Sequence, residues 1–138
     1  MTLIHIKAGS FDFESRLEQE AAPKICELFL NLLPYEQRII HVRWSGEACW
    51  IPLGDTDFGL GFENATSYPA PGQFVLYPGG FSETELLLAY GRVRFAGKMG
   101  QRAGNHFLTI GKGQDNLLAF GTKVLWEGAH DILFERLE

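Results

Sequence analysis

Apolar and polar residues alternate along the first seventeen positions of the chain. Ile4 and Ile6 stand opposite His5 and Lys7, and Phe11, Phe13 and Leu17 alternate with Asp12, Glu14 and Arg16. A period of two is the mark of a half-buried strand. Ala8-Gly9-Ser10 between the two runs makes them a hairpin. The period then changes. Ile25, Leu28, Phe29, Leu32 and Leu33 fall at helical spacing, Pro23 suits a first helical turn, and Pro34 ends the run. The pattern predicts a helix from about Ala21 to Leu33.

From Arg38 to Ser45 the alternation returns, with Ile40, Val42 and Trp44 on one side and Ile39, His41 and Arg43 on the other. Ser45-Gly46-Glu47 turns into a partner strand, Ala48 to Leu53. Gly54 to Gly72, with its glycines and prolines and with Phe58, Phe62 and Tyr68, reads as the longest loop, the kind of segment that shapes binding sites. Further strands are predicted at Phe74–Tyr77, Glu85–Tyr90, Arg92–Ala96 and His106–Ile110. Leu117 to Trp126 is read as a last strand with a bulge at Gly121. The tail from Glu127 to Glu138 is read as a second helix, with Ala129, Ile132, Leu133 and Leu137 on one face. The sum is a mainly β chain of about eight strands and two helices, one domain over residues 1–138.

Composition narrows the function classes. The 138 residues are 46% hydrophobic and 21% charged, an ordinary globular balance with no disordered segment. Eleven Phe and 16 Gly suit a barrel or sandwich better than a helical bundle. A net charge of −5 disfavours nucleic acid and membrane surfaces as partners. The basic residues are clustered, however. Leu86 to Gln114 holds Arg92, Arg94, Lys98, Arg102 and Lys112 and no Asp or Glu, so all 17 acidic residues lie elsewhere. No charged leader followed by an apolar run opens the chain and no stretch reaches membrane-helix length, so the expected location is cytoplasmic. Cys26 and Cys49 are read as small core residues. The four histidines lack zinc-site spacing, and no phosphate loop, nucleophile elbow or dinucleotide fingerprint is present. Neither a metal nor another cofactor is expected.

Several segments resemble cyclophilins in order and nearly in spacing. Phe95-Ala96-Gly97 leads through a loop to Gly104-Asn105-His106-Phe107-Leu108, similar to that family's Gly-Ser-Gln-Phe-Phe strand. Ala119-Phe120-Gly121-Thr122-Lys123-Val124 is similar to its Val-Phe-Gly-Lys-Val, and Ala22-Pro23-Lys24-Ile25-Cys26-Glu27-Leu28-Phe29 to its Val-Pro-Lys-Thr-Ala-Glu-Asn-Phe. With Pro71-Gly72 and Tyr77-Pro78-Gly79-Gly80, the chain resembles most a bacterial branch of the cyclophilin-like superfamily of unknown function. The resemblance implies a closed antiparallel β-barrel. The family's prolyl isomerase activity uses an Arg that this chain does not match in place. In Gly46-Glu47-Ala48-Cys49-Trp50-Ile51-Pro52-Leu53, which resembles the family's arginine-bearing strand, Trp50 or Ile51 stands where the Arg belongs. His106 replaces the family's Gln and Leu108 a pocket Phe; Arg43 and Arg94, on neighbouring strands, are the candidates to replace the Arg.

His106 is the leading candidate for chemistry, as a hydrogen-bonding group or a general acid or base in the cleft that the resemblance implies. Arg92 and Arg94, on one face of their strand, with Lys98 and Arg102 in the following loop, form a candidate anion clamp, an Arg being able to grip a carboxylate or phosphate bidentately. The competing reading is a solvated strand face paired with the acidic remainder of the chain. Arg43, Asn105 and Leu108 complete the candidate site. The first functional expectation is therefore a barrel that binds a small anionic or amide-containing ligand, or a peptide. The alternatives are a small enzyme acting on an amide or imide bond, with prolyl cis/trans isomerisation as its simplest form, and a structural or assembly protein; a homo-oligomer is compatible with each.

Overall fold

The computed structural model describes residues 1–137. In chain order its elements are β1 (Leu3–Ala8), β2 (Phe11–Leu17), α1 (Pro23–Leu32), β3 (Tyr35–His41), β4 (Gly46–Pro52), β5 (Ala65–Thr66) and β6 (Gln73–Tyr77). They continue with β7 (Glu85–Val93), β8 (Ala96–Gly97), β9 (Gly100–Gln101), β10 (Gly104–Lys112), a 3₁₀ turn at Gln114–Asn116, α2 (Leu117–Glu127) and β11 (His130–Arg136). Eight strands run in the order β2-β1-β11-β3-β4-β7-β6-β10, and β10 pairs back onto β2. The sheet closes into a barrel, every pairing in it antiparallel. Closure leaves none of the eight with a free edge.

The alternation of the first hairpin is what closure needs. Ile4 and Ile6 on β1 and Phe13 on β2 point into the barrel and are buried, while Lys7, Asp12 and Arg16 are not. Phe74, Phe107 and Phe134, from three different strands, meet Phe29 of α1 and Ile25 in a continuous apolar interior. Helix α1 forms where the helical spacing placed it. Its first turn is capped from outside: the Glu63 carboxylate accepts the backbone N–H groups of Lys24 and Ile25 at 2.9 and 3.1 Å. A negative group there satisfies donors that a helix start leaves free.

Three sequence expectations are corrected. Leu117 to Trp126 is not a strand but the helix α2, because Leu117, Phe120, Gly121 and Val124 form one buried helical stripe across the barrel. The tail is not a helix but β11, in which Ile132 and Phe134 face inward between β1 and β3; Glu138 lies outside the described residues. Glu85–Tyr90 and Arg92–Ala96 are not separate strands, since β7 runs through Gly91 without a break. A β-carbon on Gly91 would collide with Glu47, whose carboxylate accepts the Arg92 backbone N–H at 2.8 Å. In β3 the deeply buried residue is Ile39, while Trp44 lies beyond the strand and is exposed.

Candidate functional site

Strand β7 is apolar on both faces. Leu86 and Leu88 point into the barrel, while Leu87 joins Ala48, Val75, Tyr77 and Phe95 in a second, smaller cluster on the barrel's outside. That outer cluster exists because the chain folds back over it after β7. Ser45 fixes the return: its hydroxyl donates to the Ala96 carbonyl and accepts the Ala96 N–H, both at 3.0 Å, and its carbonyl accepts the Arg94 N–H. The short β8–β9 hairpin then delivers Arg102 onto the cluster, with its guanidinium carbon 4.8 Å from the Tyr77 ring centroid and 5.6 Å from that of Phe95. There Arg102 donates through Nη1 to the Glu85 carboxylate, Oε1. Gly97 has no side chain for a local reason: the Arg102 guanidinium fills the space that its β-carbon would occupy.

The side chains of Arg102 and Glu85 are 14% and 5% exposed, so the ion pair is close to fully withdrawn from water. Burial pushes the Glu85 carboxyl up to about 7 even with the guanidinium beside it, and the nearby Glu83 adds to the rise. A buried pair of this kind is seldom there for stability, because desolvating both ions consumes most of what their attraction returns. The pair forms part of the wall of a cleft of about 450 Å³ between the end of β3, β4, the β8–β9 hairpin and the loop before β7. Trp50, Trp44 and Ile40 give it apolar walls, and Arg43 and Lys98 give it two further cations. The Ser82 hydroxyl, also in the lining, is buried with no hydrogen-bond partner among the described residues.

Of the sequence-derived candidates, the structure brings Arg43, Lys98 and Arg102 together at this cleft. Arg92 and Arg94 are exposed and do not line it. The three β10 residues lie elsewhere, because β6 and β7 intervene between β4 and β10 and three strand spacings amount to about 14 Å. Leu108 is fully buried in the interior core, turned inward at an irregularity in the β10–β6 register, so it offers no surface to the cleft. Asn105 is also fully buried and holds the long loop, accepting the Glu63 N–H at 2.7 Å and donating to the Gly61 carbonyl at 3.0 Å.

His106 is half-buried on the outer face of β10. Its Nε2 lies 2.7 Å from the Thr109 hydroxyl, which is itself 2.6 Å from Oε2 of Glu18. A hydroxyl has one proton, and the carboxylate can only accept it; His106 therefore donates from Nε2. Burial lowers the imidazole below its ordinary value, and Arg16 adds to the lowering against the pull of Glu18. The two thiols are free and buried, and burial pushes Cys26 up to about 11 and Cys49 to about 12, which leaves neither a nucleophile. Among the described residues no group of three or more His, Cys, Asp or Glu side chains is arranged to hold a metal ion, and no helix is long and apolar enough to cross a membrane.

Sequence reasoning missed Glu85, Trp44, Trp50 and Ser82 as parts of the site. Glu85 left a trace, since it opens the apolar run Glu85-Leu86-Leu87-Leu88-Ala89-Tyr90, where a carboxylate must be paired if it is buried. Its partner, seventeen positions on, was assigned to the anion clamp instead.

No curated protein matches the chain. Among solved structures, McbB, described in complex with tryptophan, superposes with a TM-score of 0.69 at 18% sequence identity. The match covers 96% of this chain and 44% of McbB, so this chain spans less than half the length of that protein. At that identity the likeness is one of fold. The sequence itself matches a family profile over residues 4–135, and the chain belongs to that family, the proteins of unknown function designated DUF3830.

Proposed function

We propose that the chain is a small-ligand-binding barrel whose outer cleft takes a molecule with one carboxylate and a flat apolar body. The observation that carries this is the placement of Arg102. A guanidinium is stacked on Tyr77 and Phe95, held by a buried carboxylate and flanked in the cleft by Arg43 and Lys98. Arg102 is the buried one of three cations in the cleft, while Arg43 and Lys98 stand exposed at its rim, where they attract an anion without neutralising it inside. Trp50, Trp44 and Ile40 supply apolar surface for the body of the ligand, and the free Ser82 hydroxyl supplies a polar contact. Apolar walls beside convergent polar groups are what small-molecule sites share, and this cleft is on their polar side. Tryptophan, named in the McbB complex, has both ligand features, but that complex is McbB's own. The eight-stranded closure, together with the segments quoted from the sequence, supports reading the chain as one cyclophilin-like domain.

The test is a thermal-shift titration with phenylacetate and related arylcarboxylates, each beside its neutral amide. A carboxylate at a hundred times its Kd adds about 2.7 kcal/mol of apparent stability. Stabilisation by the acids and not the amides, weakened in Arg43→Ala and Lys98→Ala, is the expected result. No shift with any acid, the variants being folded, sinks the proposal.

A second reading, a small enzyme acting on an amide, draws on the Glu18–Thr109–His106 chain, which orients an imidazole as general bases are oriented. Absence of turnover with amide substrates would remove this reading, and turnover that survives His106→Gln would remove His106 as its base.

A further inference from the structure

We propose that the cleft takes up its anion together with one proton, which Glu85 binds as the ligand reaches Arg102. This rests on the preceding assignment of the cleft as a carboxylate site, and adds a linkage that the assignment alone does not require.

The argument is geometric. Arg102 makes one hydrogen bond to Glu85, and among the described residues its remaining N–H groups have no side-chain or backbone acceptor, so they are the donors open to a ligand. An arriving carboxylate therefore shares the guanidinium with Glu85 or displaces it. In the first case two carboxylates face one cation out of water. Like charges so placed cannot both remain ionised, and one must hold a proton. In the second case Glu85 is left without its cation in a site 5% exposed, where an unpaired carboxylate is strongly disfavoured. Both routes end with Glu85 neutral and the ligand ionised on Arg102, and the proton comes from solvent.

The surroundings do not supply another way to balance the charge. Glu83, from the loop before β7, adds negative charge. Arg43, from the turn between β3 and β4, and Lys98, from the β8–β9 hairpin, are both exposed and screened by water. His41, at the end of β3, is committed on both ring nitrogens, to the Val42 carbonyl and the Tyr90 hydroxyl, each within 2.9 Å. The elevation of Glu85 to about 7 in the free protein agrees with a carboxyl that needs only a small further push.

The experiment is calorimetric titration of phenylacetate into the protein at pH 8, in HEPES and in Tris, which differ in ionisation enthalpy. The heats should differ by the amount for close to one proton taken up per ligand, and at pH 5.5 the difference should nearly vanish. Affinity should weaken about tenfold per pH unit above 7, as one-proton linkage demands. In Glu85→Gln both dependences should disappear. If that variant does not fold, the pH series on the natural protein decides alone. Binding heat that is the same in both buffers at pH 8 overturns proton coupling and leaves the binding function standing. The absence of any binding heat overturns the carboxylate site, and this inference with it.

Discussion

Gly121 of α2 lies flat against the ring of Tyr90 on β7, closer than a β-carbon could approach. The ring cannot readily retreat, because Tyr90 is nearly fully buried and its hydroxyl donates to Nε2 of His41 at 2.8 Å, while His41 Nδ1 donates to the Val42 carbonyl. A glycine that weakens α2 as a helix therefore lets the helix seat on the barrel.

Two effects of opposite sign meet in Gly121→Ala. Alanine improves a helix interior by about 1 kcal/mol. Overpacking a fixed neighbour costs about 1–3 kcal/mol. The expected outcome is a net loss of up to about 2 kcal/mol, read as a lower urea midpoint at unchanged slope. A midpoint at or above that of the natural protein would mean that the Tyr90 ring yields.

Removing the Arg102 guanidinium, as in Arg102→Ala, should destabilise the barrel in a pH-dependent way. Because the folded-state value of Glu85 is raised above the ordinary 4.5, its contribution to stability is complete below that value and is lost as pH rises through about 7. Without Arg102 the carboxyl rises further, and the loss extends to higher pH. Breaking a buried pair costs about 3–5 kcal/mol when the remaining partner is charged. Urea denaturation at pH 8 should show a loss of that order and at pH 5 a clearly smaller one. Equal losses at the two pH values would contradict the pairing.

His106 should be neutral in the folded protein with its proton on Nε2, and nitrogen NMR of the imidazole should report that tautomer. Its titration midpoint should fall below 6.5. Since the folded value is lowered, the stability that His106 contributes is present above 6.5 and is lost as pH falls through the folded value. A midpoint above 6.5 would show that Glu18 dominates burial.

Asn105→Ala should loosen the long loop without collapsing the barrel. The substitution removes the partner of the Glu63 N–H and of the Gly61 carbonyl; both bonds are only partly buried, so water replaces them in part and each loss is about 1 kcal/mol. Limited proteolysis should then cut faster between residues 54 and 64. An unchanged cleavage rate would show that the other anchors, Glu63 on the start of α1 and Asn64 on His106, hold the loop without Asn105.

The barrel was legible in the sequence because closure leaves most strands a wet and a dry face, and Ile4, Ile6 and Phe13 display the resulting period directly. The two misread segments share a cause. In Leu117–Trp126 apolar residues are dense enough to fit either period, and the deciding fact is tertiary, namely the space that Tyr90 leaves for Gly121. In the tail, Ile132, Leu133 and Phe134 form a short run that no period resolves, and pairing with both β1 and β3 makes it a strand. Half of the cleft was legible as charge: Lys98 and Arg102 stood out in an acid-free stretch. Glu85 was hidden because a hairpin, not a spacing rule, brings it to Arg102. His106 and Arg94 were grouped by the cleft that the resemblance implies, and neither lines the cleft that Arg102 forms.

Strand β7, apolar on both faces and hydrogen-bonded along both edges, has a consequence for motion. Its amides open only when both clusters and both neighbouring strands give way, so its local opening free energy approaches that of global unfolding. Glu85 begins that strand, and the cleft is thereby anchored on one of the least compliant parts of the molecule. Adaptation to ligands of different size falls to the other side, to the Trp44 turn and the residues around Phe81, which are exposed and carry few anchors. The barrel thus sets where the charge of a ligand sits, and the rim sets how large a body can follow it.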